Sequence, residues 1–250
     1  MITGVDISYW QGDVNFSKMK SMCEFAILRG YFSTTKDTRF DSYHAGAGSV
    51  GLLRGVYQFV DYRQAGATQA GYLADLYNAK PTEIQPVCDL EAYSAFGSLT
   101  RDIGLRFLEP YVLHIKSATN RRTLLYINLS TALMLAPLPA WLLENCDLWI
   151  AHWTAASVPS IASFPTWKFW QYTDKGLGAD YGVSSGNIDL DRFNGSLVDL
   201  HRFCGLTPPV VPPPADDSAD LWEVVGRLTT ENEALKARIE KLERWKNTPL

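Results

Sequence analysis

Acidic residues lie at the ends of three apolar runs in this sequence. The run GVDIS contains Asp6, QPVCDLE contains Asp89 and Glu91, and NIDLDRF contains Asp189 and Asp191. Carboxylates that are crowded together repel one another, so one of them tends to keep a proton at neutral pH. A protonated carboxyl beside an ionised one is the pair used in glycoside hydrolysis, where the acid protonates the leaving oxygen and the second group stabilises the charge on the sugar.

Each of these acids also has a structural interpretation. A single aspartate at a strand end often serves as a helix N-cap, and the nearby arginines Arg29, Arg54 and Arg192 could each pair with a carboxylate. An Asp-x-Glu pair accompanied by acids at two other strand ends is harder to explain in that way. The pattern therefore favours a catalytic cluster of Asp6, Asp89, Glu91 and Asp189.

Aromatic residues flank these acids. Some belong in the core, since strands favour large aromatic side chains, but those near strand ends are candidates for stacking on sugar rings or donating hydrogen bonds at the edge of a pocket. Tyr93, which follows Glu91, and Tyr172 are two such candidates.

Other catalytic groups are poorly placed for chemistry. His44, His114, His152 and His201 lie on separate predicted elements, and none has an i, i+4 partner of the metal-binding type. We therefore expect neither a metal site nor a cofactor. No GxSxG motif surrounds a serine, so nucleophilic serine catalysis is not indicated.

Eight short apolar or β-branched runs precede residue 205, and most are separated by helix-length intervals. They span residues 4–8, 25–32, 54–60, 85–91, 123–128, 148–153, 169–173 and 188–193. This pattern predicts an α/β fold with eight parallel strands closed into a (β/α) barrel, which places the chemistry at the carboxyl ends of the strands. An open doubly wound sheet is the alternative, but no glycine-rich phosphate loop accompanies it.

The intervals between the runs are uneven. Residues 67–78 and 101–117 have helical spacing, whereas the gaps between the last three runs are short or rich in proline and glycine. We therefore expect an irregular barrel with missing or degraded helices near its end.

Composition narrows the class of protein. The 250 residues are 46% hydrophobic and 20% charged, with a net charge of −4, which fits a globular protein and gives no basic surface for nucleic acid. No apolar run approaches the roughly 20 residues of a membrane helix, so we expect no membrane insertion. The start of the sequence lacks a secretory pattern, and four scattered cysteines suggest free thiols in a reducing compartment.

Six motifs occur in the order found in one enzyme family. The sequence resembles the family 25 glycoside hydrolases, N-acetylmuramidases also called Chalaropsis-type lysozymes, from Met1 to about Ser196. The resemblance is carried by GVDISYWQG, DLE, LLYINLS, LWIAHW, FWQYT and NIDLDRFNGS.

The resemblance implies a flattened, irregular β/α barrel that cleaves the β-1,4 bond between N-acetylmuramic acid and N-acetylglucosamine in bacterial peptidoglycan. It gives Glu91 the role of general acid, and Asp89 either orients the substrate N-acetyl group or stabilises the developing charge. Further positions that match the family site are Asp6, Asp189, Tyr57, Tyr126 and either Trp149 or Trp153.

Two positions depart from the family pattern. The usual Tyr-His-Phe is Tyr57-Gln58-Phe59 here, and because Gln58 has the opposite parity to Tyr57 we expect the change to fall outside the innermost site. The ending FAILRGYFST replaces a Lys-Ala-Thr type of ending, so the resemblance gives no binding role to Arg29 or Tyr31.

The composition changes at Thr207. Five of the 13 prolines lie in TPPVVPPPADDS, which predicts an extended linker over residues 206–217 between a catalytic barrel at 1–205 and a separate segment at 218–250. That segment has a heptad pattern, with apolar residues and one asparagine at Leu221, Val225, Leu228, Asn232, Leu235, Ile239 and Leu242.

Leucine at d, with β-branched residues and one asparagine at a, is typical of parallel dimeric coiled coils. The g positions Glu231 and Arg238 are opposite in charge to the e′ positions Lys236 and Glu243. We therefore predict a homodimer formed by a C-terminal coiled-coil helix. A single amphipathic helix docked on the barrel is one alternative, and a wall-binding repeat, for which the segment is too short and too regular, is another.

These observations predict a peptidoglycan hydrolase, with a bacteriophage endolysin as the most specific interpretation. Such an enzyme would stay in the host bacterial cytoplasm until a separate membrane pore released it to the wall. A non-catalytic dimeric barrel that binds wall glycan is the alternative from another class, although it would not need the Asp-x-Glu pair. A chitin-cleaving glycosidase is the alternative among enzymes, although the chitinase run DxxDxDxE is missing.

Overall fold

A computed structural model describes residues 1–153, 157–158, 164, 166–209, 224, 227–228, 230–233, 235–236 and 239. The chain divides into two compact units, Met1–Pro208 and Pro209–Leu250. All strands of the described residues belong to the first unit.

Eight strands of the first unit form a closed barrel, and a ninth short strand lies beside it. Their bounds are Ile2–Ile7 (β1), Phe25–Phe32 (β2), Thr35–Lys36 (β3), Leu53–Phe59 (β4), Val87–Asp89 (β5), Thr123–Asn128 (β6), Cys146–Ala151 (β7), Phe169–Leu177 (β8) and Asn187–Phe193 (β9). The order is β1-β9-β8-β7-β6-β5-β4-β2, and β1 pairs with β2 to close the ring, while β3 extends β2 alone. The predicted eight-stranded barrel is thus confirmed.

The direction of the last strand differs from the prediction. β9 is antiparallel to both β8 and β1, whereas the other neighbouring strands of the barrel are parallel. The reason is the short connection after β8, which returns the chain as a hairpin and leaves no room for a crossover helix. The amino end of β9 therefore lies at the mouth of the barrel, where the other strands place their carboxyl ends.

Helices cover the outside of the barrel. They are Phe16–Met22 (α1), Phe40–Ser49 (α2), Gly66–Ala79 (α3), Arg101–Thr119 (α4), Leu129–Leu135 (α5), Ala140–Asn145 (α6) and Leu197–Phe203 (α7). The predicted helices at 67–78 and 101–117 correspond to α3 and α4. The described residues between β7 and β8 contain no helix, and a 3₁₀ turn at Gly178–Tyr181 is the only helical element described between β8 and β9.

The core has two layers because side chains alternate along each strand. Phe25, Val87, Leu124 and Phe169 fill the barrel interior, while residues of opposite parity, such as Cys88, pack between strands and helices. The same alternation turns Asp89 inward at the end of β5. The apolar side chains of the barrel interior therefore lie directly below the carboxylates at the mouth.

Helices α3 and α4 approach each other very closely at Gly66. A Cβ atom at this position would lie 2.2 Å from the backbone oxygen of Phe107. Only glycine allows the two backbones this contact.

The first unit has four cysteines and several helices of mixed polarity. Cys23, Cys88, Cys146 and Cys204 are buried free thiols. Among the described residues, none of the helices has the length and apolar character needed to cross a bilayer.

The second unit contains helical residues at the described positions. Leu228, Asn232, Leu235 and Ile239 of the predicted heptad are helical and exposed. Three heptad positions lie outside the described residues, namely Leu221, Val225 and Leu242. Most of the predicted linker, from residue 210 to 217, is also outside them.

Candidate active site

Asp6 and Asp189 are neighbours at the mouth of the barrel. They are directly paired residues of β1 and β9, and Gln171 of β8 bridges them. Its Nε2 donates a hydrogen bond of 2.7 Å to Asp6 Oδ2 and a longer one of 3.4 Å to Asp189 Oδ2. The antiparallel direction of β9 makes this contact possible, since it brings the start of that strand to the mouth.

Asp89 and Glu91 enter the same space from β5. Asp89 ends the strand and pairs in register with Tyr126 of β6, and Glu91 lies two residues further on. The Tyr126 hydroxyl donates a hydrogen bond of 2.9 Å to Gln171 Oε1, and beside Glu91 it lowers the pKa of that carboxyl, against the larger opposite effect of burial. The four predicted acids therefore gather around one amide and one phenol.

A fifth carboxyl, Asp191, lies beneath the others. It is fully buried, accepts a hydrogen bond of 2.9 Å from Trp149 Nε1 and lies close enough to Asp6 for its charge to raise the pKa of the Asp6 carboxyl. Trp149 is itself buried and packs edge-on against Tyr126 at 4.6 Å. Trp149 thus supports the floor of the site and does not offer a surface to a sugar.

Burial governs the protonation of this cluster. Loss of hydration raises the pKa of Asp6 and of Asp89 well above their ordinary values, and the neighbouring carboxylates Asp191 and Glu91 respectively raise them further. Burial also raises the pKa of Asp189 to about 8 and the pKa of Glu91 above its ordinary value. Burial thus favours the protonated form of each of these carboxyls, which is what a general acid requires.

An open cavity of about 420 Å³ gives solvent access to the cluster. Glu91, Tyr126, His152 and Trp153 are among the residues that line it. Trp153 is 45% exposed, and its Nε1 donates a hydrogen bond of 2.9 Å to Gln171 Oε1. The arrangement places an acid and an exposed indole face at the same opening, as a sugar-binding enzyme needs.

Another open cavity, of about 510 Å³, lies elsewhere. It is formed near the start of α3 and the first half of α4, and its described lining includes Arg63 and Arg106 but none of the five clustered carboxyls. The smaller cavity is therefore the better candidate, because it contains the group that can do acid chemistry.

The remaining predicted sugar-binding residues occupy different surroundings. Tyr57 lies in the barrel interior, close enough to Asp6 for that charge to raise its pKa in addition to burial. Tyr93 is 42% exposed and packs on Phe59 and Phe96. Tyr172 points away from the carboxyls and packs on Trp170, with the Arg192 guanidinium 4.2 Å from its ring centre.

Gln58 and Arg29, the two departures from the family pattern, have structural partners. Gln58 is fully buried outside the barrel, donates to the Ser33 carbonyl at 2.6 Å and accepts from the Tyr111 hydroxyl at 2.8 Å. The expectation that this change falls outside the innermost site is confirmed. Arg29 is buried in an ion pair with Asp37 at 2.8 Å.

Sequence reasoning missed Gln171 and underused Asp191. Both have a recognisable signal, since each is a polar residue at an inward-facing position of a buried strand. Phe169 and Gln171 share one face of β8, and Asp189 and Asp191 share one face of β9. A polar side chain among such interior neighbours needs a partner, and that need identifies it as part of the site.

No group of three or more His, Cys, Asp or Glu side chains is arranged to hold a metal ion within the described part of the chain. The groups that gather at the mouth of the barrel are carboxyl, amide, phenol and indole groups. A closed β/α barrel with buried, protonatable carboxyls and an exposed indole at its mouth defines a sugar-cleaving class of enzyme.

Comparison with known proteins identifies the family. The sequence profile of Glycosyl hydrolases family 25 matches residues 5–181. Lysozyme M1 of Streptomyces globisporus is 30% identical over 210 residues, which cover 80% of this chain and 70% of that protein. The chain belongs to glycosyl hydrolases family 25 and is a glycoside hydrolase.

Solved structures of similar proteins agree with the fold. The lysozyme from Streptomyces coelicolor has a TM-score of 0.71 at 27% identity, over 81% of this chain and 96% of that one. The muramidase from Trichobolus zukalii has a TM-score of 0.70 at 25% identity, over 82% and 99%. The profile match ends before β9, so the position of Asp189 rests on the structure rather than on that match.

Proposed function

We propose that this enzyme hydrolyses the β-1,4 bond between N-acetylmuramic acid and N-acetylglucosamine in bacterial peptidoglycan. The similar proteins described as lysozymes and a muramidase support this substrate. The observation that most favours the chemistry is the position of Glu91. It lines the open cavity and shares that cavity with Trp153, whereas Asp191 is fully buried beneath it.

In this mechanism Glu91 donates its proton to the glycosidic oxygen, and the bond from that oxygen to the muramic acid C1 breaks. Water then adds to C1 and restores the proton to the site. Asp89, two residues away, assists by orienting the substrate N-acetyl group or by stabilising the positive charge at C1. Gln171 holds Asp6 and Asp189 in place beside this pair.

The test is Glu91→Gln assayed on purified peptidoglycan. The amide keeps the shape of the side chain but has no acidic proton, so we expect release of muramic acid reducing ends to fall by at least about 100-fold. Glu109→Gln, an exposed position on α4, is the matched control and should keep full activity. Unimpaired release of reducing ends by folded Glu91→Gln would disprove the assignment.

Chitin is the competing substrate within the enzyme class, because it has the same β-1,4 linkage between N-acetylated sugars. Mass spectrometry of the products separates the two substrates, since only the muramic residue carries a lactyl group. We expect cleavage products that end in N-acetylmuramic acid and no turnover of chitin. Release of chitin oligomers at a comparable rate would favour the alternative.

We also propose that the C-terminal helix joins two copies of the chain in a parallel coiled coil. The apolar seam residues Leu228, Leu235 and Ile239 are each more than half exposed in the single chain, and a second copy with the same heptads would cover them. Two linked barrels would bind a polymeric wall with increased avidity.

Sedimentation velocity tests the dimer. The full chain should sediment as a dimer, while Leu235→Glu and a chain without residues 219–250 should be monomers. Glu233→Gln, on the helix but outside the seam, should remain a dimer. A monomeric full chain, or a dimer that survives the deletion, would refute the coiled coil.

Use of the enzyme as a bacteriophage endolysin stays a prediction. Expression of the chain in a host cytoplasm, with and without a membrane pore protein, tests it. Lysis that depends on the pore is the expected result.

A further inference from the structure

The open cavity of about 510 Å³ borders the same segment of chain as the proposed active site. It lies between residues 62–67, which follow β4, and the first half of α4. Phe96 and Ser98, from the segment that follows β5, also line it, and Glu91 of the same segment lines the active-site cavity. Because both segments leave the carboxyl ends of barrel strands, the two cavities lie at the same end of the barrel.

Arg63 forms one side of this cavity and is held in a fixed orientation. Its Nε and Nη2 each donate a hydrogen bond of 2.8 Å to the buried carboxylate of Asp61, and its Nη1 donates one of 3.1 Å to the Ala95 carbonyl. The guanidinium also lies 4.7 Å from the ring centre of Phe96. Two of its five N–H groups have no acceptor among the described residues, so they are available to a ligand.

Arg106 supplies a second guanidinium. It is exposed on α4 between Asp102 and Glu109, yet it forms an ion pair with neither of them. In the part of the chain that the structure describes, the lining of the cavity contains no acidic residue and is otherwise mostly apolar. A ligand that combines carboxylates with small apolar groups is complementary to this lining, since arginine binds carboxylates with paired N–H groups.

We propose that this cavity binds the acidic peptide that peptidoglycan carries on its muramic acid, with Arg106 and the unused N–H groups of Arg63 as donors to its carboxylates. The inference rests on the proposed function, in which peptidoglycan is the substrate. The lactyl group of muramic acid bears a short peptide that combines small apolar alanine residues with residues that carry carboxylates. These two properties match the mixed lining of the cavity.

The distance from the acid to the cavity suits such a peptide. Glu91 and Phe96 are five residues apart, which is at most about 18 Å along an extended chain, and the 3₁₀ turn at Ser94–Phe96 shortens this distance. A peptide of about four or five residues extends over roughly 14–18 Å. A muramic acid bound beside Glu91 can therefore place the far end of its peptide in the cavity while its glycosidic bond stays at the acid.

The experiment compares kcat/KM on two preparations of soluble, uncrosslinked peptidoglycan. One has free peptide carboxylates, and in the other these are converted to amides with carbodiimide and ammonia, which leaves the glycan unaltered. For the unmodified enzyme, kcat/KM should be about fivefold higher on the carboxylate form, the effect of one ion pair at a partly exposed site. The preference should decrease at about 0.5 M salt, because exposed charges are then screened.

Arg106 is the residue to vary, because Arg63 also holds the segment that carries Glu91. Arg106→Gln should reduce the preference to less than about twofold, and Arg106→Lys, which keeps the charge, should retain most of it. Lys116→Gln removes one charge from an exposed position of the same helix outside the cavity, and it should keep the full preference. A substitution that merely loosened α4 would lower kcat/KM on both preparations alike.

Two results would overturn the peptide subsite. One is equal kcat/KM of the unmodified enzyme on the two preparations, and the other is a preference that persists in Arg106→Gln. A phosphate polymer of the wall is the competing anion. If a soluble glycerol phosphate polymer inhibits the unmodified enzyme but not Arg106→Gln, while amidation has no effect, the cavity binds phosphate and the peptide assignment is wrong.

Failure of this proposal can be told apart from failure of the proposed function. Release of muramic acid reducing ends from both preparations without preference would overturn only the peptide subsite. No release from either preparation would overturn the proposed function itself.

Discussion

Replacement of Asp189 by asparagine should stabilise the fold at neutral pH and have little effect near pH 4. The Asp189 carboxyl is largely withdrawn from water beside Asp6, and burial raises its pKa from 3.8 to about 8. Folding therefore favours the protonated form. Asparagine has the same shape and no proton to lose, and its oxygen can still accept from Gln171.

The sign and size of the effect follow from proton binding. Below about pH 4 both folded and unfolded chains hold the Asp189 proton, so its contribution to stability is fully present there. As the pH rises towards 8, the unfolded chain loses the proton while the folded chain keeps it, which lowers the free energy of unfolding by about 1.4 kcal/mol per pH unit. From about pH 4 to pH 7 this amounts to roughly 4 kcal/mol, or about 2 kcal/mol after allowance for partial solvent screening.

Urea unfolding measures the prediction, with fluorescence of the buried Trp149 and Trp170 as the signal. The difference in unfolding free energy between Asp189→Asn and the unmodified chain should be near zero at about pH 4 and about 2 kcal/mol in favour of the variant at about pH 7. Glu109→Gln, at an exposed position, should show no such pH-dependent difference. A difference for Asp189→Asn that is the same at both pH values would refute the reasoning.

Two further predictions concern packing away from the carboxyls. Gln58→Leu leaves the Ser33 carbonyl and the Tyr111 hydroxyl without their partner, so thermal unfolding should show a loss of about 2–4 kcal/mol, while kcat/KM of the folded enzyme stays unchanged; full stability would contradict this account. Gly66→Ala should lower the urea midpoint by an amount equivalent to about 1–3 kcal/mol because its Cβ would meet the Phe107 oxygen at 2.2 Å. Gly71→Ala, on the same helix with its nearest contact at 3.7 Å, is the control and should be neutral or stabilising.

The barrel could be predicted from the sequence because its strands are buried on both faces. Such strands appear as short apolar runs that stand out from the helical intervals. The direction of β9 could not be predicted in the same way, since a strand has the same two-residue period whichever way it runs. The strand β3 could not be predicted either, because its two residues, Thr35 and Lys36, are exposed and form no hydrophobic pattern.

The acids of the site could be predicted because the sequence shows both the strand end at which each lies and the face of the strand that it shares. The exposure of the aromatic residues could not be predicted in this way. Trp149 and Trp153 are four residues apart and equally aromatic, yet one is buried under Asp191 and the other opens to solvent. That difference depends on where β7 ends relative to the mouth, a tertiary property that a local pattern does not contain.

The pairing of β1 with β9 has a consequence for the order of folding. One edge of β1 stays open until β9 arrives, and the paired residues Asp6 and Asp189 are separated by most of the barrel sequence. Contacts of such long range form late, and a chain emerging from the ribosome cannot make them until its final strand is available. The nascent enzyme therefore assembles its carboxyl cluster only at the end of barrel synthesis, so hydrolytic competence is acquired last.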